Sequence, residues 1–205
     1  MSRQENSPFL ERDLGLQLVR TAQEGACCVK NFLNKTTVAK LQDLCSLLDF
    51  EEIIEQHEKV EERYFIPRSI PSKTRNTMLR LSNSLRLAMA RYAKTYPVLQ
   101  DWSPSDFSVQ LYDRHSYITS HRDHKINKGL VVIFTIQGEA IFKARNERHG
   151  SPFLTQKIAE GDVVLLRGGD FVPNLQGHPG IFHSISGALT EKPRISIGFR
   201  DKIKE

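Results

Sequence analysis

Six short β-rich runs crowd the second half of the chain: FSVQLY, LVVIFTI, EAIFKA, DVVLLR, GIFHSI and RISIGF, divided by Gly, Pro, Asp or Asn. Strands this short and closely spaced predict an antiparallel sandwich or barrel rather than a parallel sheet. Gln137 and Gly138 stand between the second and third runs, where a tight hairpin connection is expected.

The first hundred residues have a different texture. Thr36 and Thr37 can cap a helix whose apolar positions Val38, Leu41, Leu44, Cys45 and Leu48 fall on one face. IPRSIPSK is a Pro-punctuated extended stretch or loop, and a second helix follows it. That helix carries Met78, Leu81, Leu85, Ala88, Met89 and Tyr92 at helical spacing, with Pro97 beyond its end. The expected fold is α+β: helices to about residue 100, packed on one sheet of a β-sandwich core over 107–200. No clear linker separates the halves, so residues 24–205 read as one domain behind an N-terminal extension, 1–23.

Composition excludes several classes. In 205 residues no apolar run approaches the roughly 20 that a membrane helix needs. The opening MSRQENSPFLERD lacks the apolar centre of a signal peptide. Cys27, Cys28 and Cys45 are too sparse for a disulfide framework and favour an intracellular, cytoplasmic or nuclear, setting. The net charge is +5, yet EEIIEQHEKVEE (51–62) alone is −5, so the remainder carries +10. Such a bias can attract an anionic partner, nucleic acid first among them.

One set of residues carries chemistry: His121, Asp123 and His183, then Arg194 and Arg200. Strand residues two apart point to the same side, so His121 and Asp123 can present an imidazole and a carboxylate together. His183 lies 60 residues beyond Asp123, on another β run. Two His and one carboxylate form the facial triad that holds non-haem Fe(II), with three positions left open. Thiolates would favour zinc or iron–sulfur clusters instead. His178, in a Gly-Pro loop, competes with His183, but a strand positions a ligand more firmly. In RISIGFR, Arg194, Ser196, Gly198 and Arg200 alternate with Ile195, Ile197 and Phe199. Both guanidinium groups therefore share a face, and a dicarboxylate suits them because each can bind a carboxylate bidentately.

With these residues in this order, the chain from about Glu24 onward resembles the Fe(II)- and 2-oxoglutarate-dependent dioxygenases, most closely their AlkB-like branch. EGACCVKNFLNKTTVAKLQDL resembles the opening of these domains, and EGDVVLLRGGD with GIFHSI their distal-His region. VQLYDRHSYITSHRD resembles the AlkB segment in which a Tyr nine residues before the first metal His, here Tyr112, contacts 2-oxoglutarate. Gln110 stands where the family has Asn. RISIGFR resembles the signature Arg-x-Asn-x-Thr-x-Arg, with Ser196 and Gly198 in place of Asn and Thr. The resemblance implies a double-stranded β-helix (jelly-roll) core and Fe(II) on His121, Asp123 and His183. It further implies 2-oxoglutarate against Gln110, Tyr112, Arg194, Ser196 and Arg200, O₂ as co-substrate, and hydroxylation or oxidative demethylation as the outcome.

Substrate is less defined. Repair members of the branch carry an acidic residue two positions after the metal Asp, and here Lys125 stands there. Arg122, Lys125 and Lys128 are expected beside the iron, with the basic stretch Arg63 to Arg80 near the mouth of the site. Together they place nucleic acid slightly ahead of a protein side chain or small metabolite.

Overall fold

The computed structural model describes residues 7–9, 13–57, 60–104, 106–123, 127–172 and 180–202. Among them are three α-helices: α1 (Gly15–Glu24), α2 (Lys35–Cys45) and α3 (Ser72–Ala90). The strands in the first half are β1 (Ala26–Val29), β2 (Phe50–His57) and β3 (Val60–Pro67). Then follow β4 (Asp106–Tyr112), β5 (Tyr117–His121), β6 (Asn127–Gln137) and β7 (Ala140–Arg145). The last are β8 (Leu154–Ile158), β9 (Val163–Arg167), β10 (Phe182–Ile185) and β11 (Arg194–Lys202).

The strands run in the order β1-β9-β6-β11-β4-β3-β5-β10-β7-β8, with β2 paired to β3. Every pairing is antiparallel. The two ends of this path, β1 and β8, come into contact, so the sheet nearly closes on itself as a jelly roll. Closure protects the strand edges that an open sheet would leave to aggregate.

Alternation decides which residues meet the helices and which face the interior. Val132 and Phe134 of β6, Val163 and Leu165 of β9, and Ile195, Ile197 and Phe199 of β11 join one core with Leu41, Met78, Leu85 and Met89 of the helices. The intervening Val131, Val164 and Leu166 pack inward with Phe142, Ala144 and Ile158. Burial on both faces is why LVVIFTI reads as a continuous apolar run. Phe134 centres the helix side: its ring lies 6.1 Å from Phe32 and 5.9 Å from Phe199, and Phe32 stacks on Phe9 at 4.8 Å.

Three expectations meet a different outcome. The cap of α2 is Asn34, whose Oδ1 accepts from the Thr37 backbone N–H at 2.7 Å, while Thr36 and Thr37 lie inside the first turn. Asn34→Ala should lower stability by about 1 kcal/mol, read as a reduced urea midpoint with unchanged slope. Gln137 and Gly138 do not close a hairpin, because β6 lies between β9 and β11 whereas β7 pairs with β10 and β8. The turn instead carries the chain from one sheet to the other. Gly138 has φ 71°, and a Cβ there would sit 2.8 Å from the Pro193 carbonyl oxygen. The acidic segment, in a half read as helical, is the β2–β3 hairpin, held in place by β4 and β5. The N-terminal extension itself contains α1, with Leu18 fully buried.

The cysteines are free, and burial pushes the Cys28 and Cys45 thiols up to about 12, which keeps them unreactive. Among the described residues no helix is long and apolar enough to cross a membrane.

Candidate active site

Strands β5 and β10 lie side by side with His121 opposite His183, their rings 4.2 Å apart. Just past the end of β5 the chain brings the Asp123 carboxylate to 3.8 Å from His183 Nε2. One candidate ligand atom from each of the three residues lies within 4.8 Å of the others. Each imidazole turns Nδ1 toward the backbone carbonyl two residues earlier, Thr119 at 2.9 Å and Ile181 at 3.5 Å. That arrangement leaves Nε2 as the nitrogen available to a metal. Burial, reinforced by the nearby His121, pulls His183 down to about 4, so it is a neutral imidazole with a lone pair to offer. Arg200 reaches the same cluster, with Nη2 3.7 Å from Asp123 Oδ1 and Nη1 donating to Ser108 Oγ at 3.1 Å.

Deeper in the same cavity β11 and β4 place Arg194 opposite Tyr112 and Ser196 opposite Gln110. Arg194 is 2% exposed. Its Nε and Nη2 donate to Thr135 Oγ1 at 3.3 and 3.2 Å, and its guanidinium lies 5.1 Å from the Tyr112 ring centre. No carboxylate pairs with it among the described residues, and burial lowers its pKa. The Tyr112 hydroxyl donates to Gln110 Oε1 at 3.0 Å, and burial raises that phenol. Ser196 is 1% exposed, and its hydroxyl has no hydrogen-bond partner among the described residues. A buried cation lacking an anion and a buried hydroxyl lacking a partner both point to a bound acid.

The cavity that joins these groups has a volume of about 1020 Å³. Part of its wall comes from residues that the sequence does not mark: Gln56, Val60, Glu62 and Tyr64 of the hairpin, with Asn127 of β6. The alternation Glu62-x-Tyr64 was a usable signal only once the acidic segment was known to be a strand.

The basic residues expected around the site divide. Arg122 lines the cavity rim with its guanidinium 3.9 Å from the Phe182 ring centre. Lys128 alternates to the face of β6 opposite Asn127 and does not line the cavity. Lys125, like His124 and His178, lies outside the described residues. The stretch Arg63 to Arg80 does not bring its charge to the mouth. Arg63 points away and pairs with Glu52 at 2.7 Å, Arg68 pairs with Asp49, and Arg75 lies over Phe107 from α3.

No protein-family model and no curated protein matches the sequence. Solved structures do match the fold. A 2OG-Fe(II) oxygenase family oxidoreductase from Burkholderia pseudomallei aligns over 96% of this chain and 94% of its own, at 12% identity and a TM-score of 0.59. OsALKBH1 aligns over 86% of this chain and 98% of its own, at 16% identity and 0.53. A prolyl hydroxylase from Trichoplax adhaerens, solved with a hypoxia inducible factor peptide fragment, aligns over 93% and 94%, at 13% identity and 0.56. The chain thus has the double-stranded β-helix fold of the 2OG-Fe(II) oxygenases.

Proposed function

We propose that this protein is an Fe(II)- and 2-oxoglutarate-dependent dioxygenase. The observation that carries this reading is the pairing of the His121–Asp123–His183 cluster with the buried, acid-less Arg194 in a single cavity. Two imidazoles and one carboxylate, with no thiolate, suit ferrous iron, which when bound would supply the activation of O₂. Arg194 would take the distal carboxylate of 2-oxoglutarate, with Ser196, Tyr112 and Gln110 fixing its orientation and Arg200 near the metal-binding end. Arg194, Ser196 and Tyr112 are each at most 2% exposed, and that burial strengthens each of those contacts.

The overall reaction balances as substrate C–H plus O₂ plus 2-oxoglutarate giving substrate C–OH, succinate and CO₂. One oxygen atom enters succinate and the other the product. An N-methyl substrate would lose formaldehyde afterwards.

Of the substrate classes left open by the sequence, the cavity favours a protein side chain or small metabolite over nucleic acid. Of the basic residues expected at the mouth, Arg122 lines it; Lys202 lines it too but is paired with Asp106 at 2.9 Å, and Glu62 faces the interior. An AlkB-like demethylase of nucleic acid remains the competing reading, carried by Arg122. Measuring succinate released from 2-oxoglutarate tests the dioxygenase assignment. Release should require added Fe(II) and cease on chelation, with candidate substrates stimulating it. Chelator-insensitive release, or none with any substrate, would sink the reading.

A further inference from the structure

The hairpin that roofs the cavity treats its acidic residues differently on its two faces. On the face turned away from the cavity, Arg63 neutralises Glu52 at 2.7 Å. On the other, Glu55 and Glu62 stand directly opposite each other in register. Glu62 lines the cavity, and no basic side chain pairs with it among the described residues. Tyr64, two residues on, lines the same wall with its ring 6.0 Å from that of Tyr112. Its phenol is raised by burial and then by the Glu62 and Glu55 carboxylates, and its hydroxyl hydrogen-bonds Glu62, so a carboxylate and an aromatic face stand side by side.

A second, independent acceptor lines the same cavity from β6. Asn127 is 4% exposed, and its Oδ1 is buried without a hydrogen-bond partner among the described residues. An orphaned amide oxygen costs stability until a donor reaches it. A carboxylate, an aromatic face and a spare carbonyl oxygen are the groups that recognise an ammonium or guanidinium ion.

We propose that the substrate oxidised in this cavity carries a cationic nitrogen, held by Glu62 and the Tyr64 ring, with Asn127 accepting one of its N–H groups. The inference rests on the dioxygenase reading and narrows its substrate to a basic amino-acid side chain, free or within a peptide. The cation is seated beneath the hairpin, so a C–H bond of its stem is carried toward the metal cluster.

Anaerobic calorimetry on the full chain loaded with Fe(II) and 2-oxoglutarate tests it. The titrants are free lysine and arginine, their Nα-acetyl amides, Nα-acetyl-glutamate amide and a single-stranded oligodeoxynucleotide. A basic titrant should bind, and E62Q should weaken it by about tenfold or more. E62D should lie between the two, and E61Q, altering an exposed neighbour on the other face, should stay within about twofold. Preference for the capped over the free amino acids would identify a peptide source, and the reverse a metabolite. Equal binding by wild type and E62Q, or binding confined to the acidic compound or the oligonucleotide, overturns the proposal. Absence of 2-oxoglutarate heat removes the dioxygenase reading and this one together. Heat from 2-oxoglutarate but from no basic titrant removes this one alone.

Discussion

Arg194→Met should move two measurements in opposite directions: 2-oxoglutarate affinity falls and the stability of the unliganded protein rises. The guanidinium is buried at 2% exposure with Thr135 Oγ1 and the Tyr112 side chain as its neutral hydrogen-bond partners and no carboxylate paired with it among the described residues, so without ligand it is a desolvated charge lacking its counter-ion. Replacing such a group by an apolar side chain of similar volume is commonly neutral or stabilising, by about 1–4 kcal/mol. With ligand the balance reverses. Removing one member of a buried charge pair costs about 2–5 kcal/mol, which is roughly 30- to 4,000-fold in Kd. Thermal melts with and without 2-oxoglutarate read both effects at once. The co-substrate should raise the wild-type midpoint and leave that of Arg194→Met unmoved, while the unliganded variant melts no lower than wild type. A destabilised variant that still binds 2-oxoglutarate would assign Arg194 to the architecture alone.

The parts of this molecule legible in its sequence are those governed by strand alternation. Ile195, Ile197 and Phe199 face the helices while Arg194, Ser196 and Arg200 line the cavity, as a period of two requires. His121 is marked by the carboxylate two residues on and His183 by the short apolar run around it, and the fold sets them opposite each other. The hairpin was hidden for the opposite reason. In EEIIEQHE the apolar residues Ile53 and Ile54 are adjacent, and Ile54 is 70% exposed, so no period of two marks β2 as a strand. Its structure comes from pairing with β3, which in turn bridges β4 and β5. Tertiary context therefore overrides local pattern at the segment that walls the substrate side of the cavity, and Glu62 and Tyr64 went unread. The Gln137–Gly138 pair does not by itself distinguish a hairpin from a crossing, because the chemistry of a sharp reversal is the same whether the next strand pairs with the last or crosses to the far side of the nearly closed sheet.

Metal binding should divide Asp123 from Arg200 by at least an order of magnitude. Asp123 offers the sole carboxylate of the cluster, within 4.8 Å of both imidazoles. Arg200 stands behind it, 3.7 Å from Oδ1 and anchored on Ser108. Loss of a residue that only orients a ligand costs about 10–100-fold in metal affinity or activity, and Arg200→Met should fall in that range. Asp123→Ala removes the ligand itself together with the negative charge that offsets a divalent cation. Its Fe(II) affinity should therefore fall below that of Arg200→Met, and succinate formation from 2-oxoglutarate should drop to background. The fold should survive both changes, because Asp123 lies beyond the end of β5 with about a fifth of its side chain exposed, and removing it takes no apolar group from the core. Anaerobic Fe(II) titration, run beside far-ultraviolet circular dichroism, separates the outcomes. Equal losses in the two variants would mean that the carboxylate acts through its ion pair with Arg200 and not as a ligand. Unchanged turnover in Asp123→Ala would remove the cluster from the chemistry altogether.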